Sequence, residues 1–199
     1  YRNQLADWGV PPGRMVIGGS LRIRRVEGDS YHADAPCFVP LSAHRTIARQ
    51  MMWEVEATAA KGFTFLVKDH PMYPLTFRED SRIRRTTGTL SEQSSLSAVF
   101  YSTGTSGLEA LLAGLPTFRL LPEDRIAVDV LPEFVSAVPV TAGGLVDALA
   151  RASRPAPIDW EDVLSLVDWD LWRRLLAAGS ALGRANGPDA SGVENKKIA

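Results

Sequence analysis

Short apolar runs of four to six residues, each ending near Gly, Pro, Ser or Thr and most followed by a helical pattern, constrain this chain more than any other feature. The runs fall at 37–41, 63–67, 98–101, 116–121 and 135–140, with a shorter one at 14–17 before Gly18-Gly19-Ser20. Between them, residues 43–60 place Ile47, Met51, Met52, Val55 and Ala59 at spacings of three and four, which predicts an amphipathic helix that Gly62 stops. Residues 108–113 predict a second helix closed by Gly114, and 142–152 a third. Strand followed by helix, repeated, implies an α/β fold: a Rossmann-like three-layer sandwich with a mostly parallel sheet and helices on both faces. Residues 82–89 read as an edge strand, and 153–157 as a linker into a helical stretch over 160–182 that carries Trp160, Trp169 and Trp172. The expected organisation is one nucleotide-binding domain over 1–182, then a flexible tail over 183–199.

Composition narrows the function classes. The net charge is −1, from 22 basic and 23 acidic residues, which argues against a dedicated nucleic-acid binder. No apolar run reaches the roughly 18 residues of a membrane span, so no transmembrane segment is expected. The single cysteine, Cys37, excludes an intramolecular disulfide and a multi-cysteine zinc site, and three histidines leave little for a metal centre.

Two polar clusters follow apolar runs, at the strand ends where open α/β sheets bind ligands. The first is Ser102-Thr103-Gly104-Thr105-Ser106-Gly107. It combines four hydroxyls, two glycines that let a ligand approach the backbone, and a helix start with unpaired N–H groups, which suits a phosphate. A plainer reading is a capped helix, because Ser106 to Glu109 fits the capping-box pattern. Gly-Lys-Ser/Thr is missing, so the loop is not a P-loop. A serine-hydrolase elbow fails too, since Leu108 stands at its fifth position and the last histidine, His70, precedes the serine.

The second cluster is Lys68-Asp69-His70-Pro71. His70 can donate to a phosphate or act as a general acid or base, and Lys68 would add positive charge; the alternative is a surface loop with a chance histidine. Arg78 to Arg85 hold four arginines and read as a solvated mixed-charge face, and the three tryptophans read as packing anchors.

Together the two clusters resemble the C-terminal, donor-nucleotide half of GT-B glycosyltransferases, in particular bacterial surface and capsular polysaccharide enzymes of the sialyl-, Kdo- and glycerophosphotransferase type. Phe65-Leu66-Val67-Lys68-Asp69-His70-Pro71 is similar to that group's strand ending in a His-Pro motif. The stretch from Tyr101 to Pro116 is similar to its Ser/Thr loop and Glu-Ala-Leu…Gly-x-Pro helix, and Trp8 to Ser20 to the segment leading into this half. Asp69 stands where members often have Pro, and its charge would oppose a phosphate.

The resemblance implies a nucleotide-sugar donor linked through CMP, CDP or UDP, with no cofactor and no metal. It implies that His70 contacts the leaving phosphate as the catalytic residue. Lys68, Ser102, Thr103, Gly104, Thr105 and Ser106 would hold the phosphates, and Glu109 would reach the ribose. It also implies a separate N-terminal acceptor-binding half, for which 199 residues leave no room. The expected location is cytoplasmic, at or near the inner membrane. A last helical stretch that normally covers the missing half would expose apolar surface and invite a homodimer. A nucleotide-sugar 2-epimerase of the same fold, with Glu109, Glu123 and Asp124 as its candidate carboxylates, and a non-catalytic binding domain are the alternatives.

Overall fold

The computed structural model describes residues 2–23, 30–124, 126, 131–132 and 134–185. The chain divides into two compact units, Arg22–Val163 and the combination of Tyr1–Leu21 with Leu164–Ala199, where the sequence reads as one domain over 1–182.

The larger unit is built on six strands: β1 (Cys37–Pro40), β2 (Phe65–Lys68), β3 (Ile83–Thr86), β4 (Ala98–Tyr101), β5 (Thr117–Leu120) and β6 (Val138–Val140). All pair in parallel, in the order β3-β2-β1-β4-β5-β6, and helices flank both faces. The fold is therefore an α/β, Rossmann-like three-layer sandwich.

Alternation along each strand separates the two faces. Cys37, Val39, Phe65, Val67, Ala98 and Phe100 face one core, covered by α2 (Arg45–Ala59) and α4 (Leu145–Ala150). Phe38 and Val99 face the other, covered by Ala110 of α3 (Ser106–Leu112) together with Leu90, Leu96 and Leu115. The apolar stripe of α2 buries the five residues that its spacing marks. The four-residue central strands β1, β4 and β5 hold because both faces are covered, each buried Val, Leu, Ile, Phe or Met contributing roughly 1.5–3 kcal/mol. The carboxylate of Glu54 on α2 accepts the N–H groups of Gly143 (2.6 Å) and Leu145 (3.4 Å), fastening the start of α4 to its neighbour helix. The strand expected at 135–140 shortens to β6, because Val135 closes a turn onto Pro132 O (3.0 Å). Pro139 is tolerated there since β6 is an edge. The strand expected at 82–89 is likewise the opposite edge, shortened to β3.

The smaller unit contains α1 (Arg2–Asp7), a 3₁₀ turn (Pro12–Arg14) and α6 (Trp169–Ala185). The strand expected at 14–17 does not form. Prolines 11 and 12 set a tight turn, and the following backbone bonds to the C-terminal segment instead. Gly18 O accepts the Asp168 N–H (3.2 Å) and the Trp172 Nε1–H (2.8 Å), and Ser20 N–H donates to Ser165 O (3.3 Å).

The expected helix over 160–182 is two helices, α5 (Trp160–Val163) in the larger unit and α6 in the smaller. Asp168 starts the second, its carboxylate accepting the Leu171 N–H (2.8 Å). Trp160 is buried and Trp172 is anchored through its indole, but Trp169 is exposed, so only two of the three act as anchors. Trp8, Leu166, Leu175 and Leu176 are also exposed in this unit. Helix α6 continues through 185, and the rest of the tail expected at 183–199 lies outside the described residues. Among the described residues, no helix is long and apolar enough to cross a membrane.

Candidate functional site

The chain runs from β1 outward to β2 and β3, then returns to the other side of β1 for β4, β5 and β6. This reversal sends the helices after β1 and β4 to opposite faces of the sheet and leaves a crevice at the strand ends, which is where open α/β sheets bind ligands. A cleft of about 650 Å³ opens there, lined only by residues of the larger unit. Its floor includes Phe38, Pro40 and Leu41; its walls are the loops after β1, β2, β3 and β4.

The sequence-derived residues His70, Lys68, Thr103, Gly104, Thr105, Ser106 and Glu109 all line this cleft. They come from strands that are far apart in sequence, and Ser42 after β1 joins them, its hydroxyl 3.4 Å from that of Thr103. Ser42 also accepts the His44 N–H (3.1 Å) at the start of α2.

Ser102 does not line the cleft. It continues the buried run of β4, is 1% exposed, and its hydroxyl donates to Leu120 O on β5 (3.2 Å). Its own carbonyl accepts from Arg119 Nε (3.2 Å). Its hydroxyl ties two central strands together and does not face the cleft.

The two glycines of the loop also part company. Gly104 has φ +99 in the cleft wall, a backbone conformation that favours glycine. A Cβ on Gly107 would overlap the buried Tyr101 ring, so this glycine serves helix–strand packing and not ligand approach.

The capping box expected at Ser106–Glu109 is not the one formed. Thr105 is the N-cap, in αR conformation without a side-chain cap, and its hydroxyl donates to the Glu109 carboxylate (3.0 Å). With seven residues, α3 offers only a short dipole, so the hydroxyls of Thr103 and Ser106 carry more of any anion binding in this wall.

On the opposite wall, the Met72 N–H donates to His70 Nδ1 (3.3 Å), and the Tyr73 ring stacks on the imidazole with centroids 5.6 Å apart and planes at 21°. Neutral His70 in this arrangement carries its hydrogen on Nε2, a donor. Asp69 forms an ion pair with Arg85 of β3 and accepts the Leu75 N–H (3.0 Å), so its negative charge is compensated. The arginine stretch 78–85 is accordingly more than a solvated face at this position.

Sequence reasoning missed Ser42 and the 3₁₀ turn Leu90–Glu92, whose residues join the lining together with Thr89. Both carried a signal: Ser42 directly follows a strand, and Thr89-x-x-Glu92 has capping-box spacing. Glu92 reaches back to the Thr89 N–H (2.6 Å). That backbone bond, then one from the Thr89 side chain, holds the exposed carboxyl below the usual carboxylate range, with Lys68 adding a smaller attraction. Cys37 lies in the core, where burial pushes its thiol well above the ordinary range. Among the described residues, no group of three or more His, Cys, Asp or Glu is arranged to hold a metal ion.

The fold and cleft define a Rossmann-like domain with a polar, hydroxyl-rich site at its topological switch point. No family model and no curated protein matches the sequence.

Proposed function

We propose that the cleft binds the nucleotide of an activated sugar and that the chain is the donor-binding half of a GT-B-type glycosyltransferase of bacterial surface polysaccharide assembly, working in the cytoplasm. The observation that carries this reading is the convergence of His70 after β2 with the hydroxyl loop after β4 in one cleft. Sugar transfer leaves negative charge on the departing phosphate, and donors fixed in advance stabilise that charge without reorganising. His70 Nε2–H, the hydroxyls of Thr103 and Ser106, and the Lys68 ammonium are the groups suited to that role, with Glu109 toward the ribose. The ion pair of Asp69 supports the reading, because it removes the like-charge objection to a phosphate beside His70.

The test is a thermal-shift titration with CMP, CDP, UDP and GDP on the native protein and on His70→Ala and Ser106→Ala. At 100 times its dissociation constant, a ligand of the native state adds about 2.7 kcal/mol, a rise of roughly 5–10 °C at this size. A rise with one base that both variants lose is the expected result. No rise with any of the four nucleotides at millimolar concentration would refute nucleotide binding by this chain.

A further inference from the structure

The loop that presents His70 contains Pro71 and Pro74, which have no N–H to donate, and forms a single turn and no helix or strand, so bonds from outside the loop add support. Arg85 on β3 supplies one. Its guanidinium pairs with Asp69 at one end of the loop and donates to Leu75 O (3.2 Å) further along, while Asp69 accepts the Leu75 N–H (3.0 Å). Phe77 lies under the guanidinium at 4.1 Å, and Glu79 accepts from its Nε (3.4 Å). Arg85 is in register with Val67 of β2, so the support is tied to the sheet itself. Within the loop held in this way, the Tyr73 N–H donates to His70 O (3.0 Å) and the Met72 N–H to His70 Nδ1.

We infer that Asp69 and Arg85 are a positioning pair: they clamp the loop so that its backbone occupies His70 Nδ1 and leaves Nε2–H for the ligand. Neither touches the ligand in this role. Asp69 borders the cleft, but its carboxylate is committed to Arg85 and the Leu75 N–H, and Arg85 is not among the residues lining the cleft. The functional value of the clamp rests on the reading of His70 as the group facing the leaving phosphate.

The experiment is long-range ¹H–¹⁵N NMR of the histidine side chains at alkaline pH without ligand, where imidazole is neutral. The chain has three histidines, and His70→Ala assigns the relevant signals. The native protein is expected to show an acceptor-type Nδ1 and a protonated Nε2 at His70. Asp69→Asn and Arg85→Ala should each average the two nitrogens, Arg85→Lys should restore part of the native signature, and nucleotide affinity should fall tenfold or more in parallel. Arg82→Ala is the control, because that guanidinium bonds to Ala59 O (2.6 Å) and should leave His70 unchanged. A native His70 already averaged, or an unchanged signature in both Asp69→Asn and Arg85→Ala, would overturn the inference. Because the spectra are read without ligand, they judge the clamp even if every nucleotide fails to bind, an outcome that would count against the functional reading alone.

Discussion

The two walls of the cleft are held in different ways. The loop after β4 hangs from the centre of the sheet: every residue of β4 is buried, Ser102 bonds across to β5, and α3 is pressed onto Tyr101 through Gly107. The loop after β2 is held from the edge, by the partly buried Asp69–Arg85 pair and the face of Phe77. Dry packing resists change because interiors are close-packed and buried polar groups must keep their partners. A partly buried ion pair at the sheet edge adds less to folding than a dry core does, yet it can fix the direction of a side chain. Damage to the first wall should therefore be read as lost stability, and damage to the second as lost His70 geometry in a protein that still folds.

That contrast is open to direct attack. The largest effect is expected from Gly107→Ala, whose new methyl meets a fully buried ring with no free end to swing aside. Urea denaturation should register a loss of about 1–3 kcal/mol or more; a loss near zero would mean that α3 and β4 are not closely packed. Ser102→Ala should cost about 1 kcal/mol through its lost bond to Leu120 O, with nucleotide affinity unchanged once stability is allowed for. A selective loss of affinity would return Ser102 to the cleft.

The smallest effect concerns Glu92. Its folded pKa is depressed, so the unfolded chain binds more protons, and the contribution of Glu92 is present above the unfolded value and lost as pH falls through the folded one. Between roughly pH 5 and pH 3 the native Tm should fall more steeply than that of Glu92→Gln. Parallel Tm–pH curves would mean that the Thr89 bonds do not form in solution.

Much of the fold was legible before the structure. Apolar runs at 37–41 and 98–101 became β1 and β4, and the stripe from Ile47 to Ala59 became the buried face of α2. The site was legible in outline, since seven of the eight candidate residues line the cleft. Ser102 was misread because nothing local distinguishes it from Thr103; one hydroxyl points between β4 and β5 and the next into the cleft. The 14–17 run looked like a strand, but Arg14 and Met15 bond back to Pro11 and Pro12, and the backbone just beyond the run, at Gly18 and Ser20, bonds to residues some 150 positions away.

By itself, then, the order of residues determined where segments become strand or helix and which turns are polar, because burial periodicity and backbone preference act over a few neighbouring residues. Only the tertiary structure decided the strand order, which places β1 beside β4 and so brings Ser42 to Thr103. It alone decided that Asp69 is neutralised by Arg85, sixteen residues on, and that Gly107 is a packing glycine. Those outcomes depend on which distant surfaces meet, and the gain from bringing them together belongs to the pair of surfaces and not to either stretch of sequence.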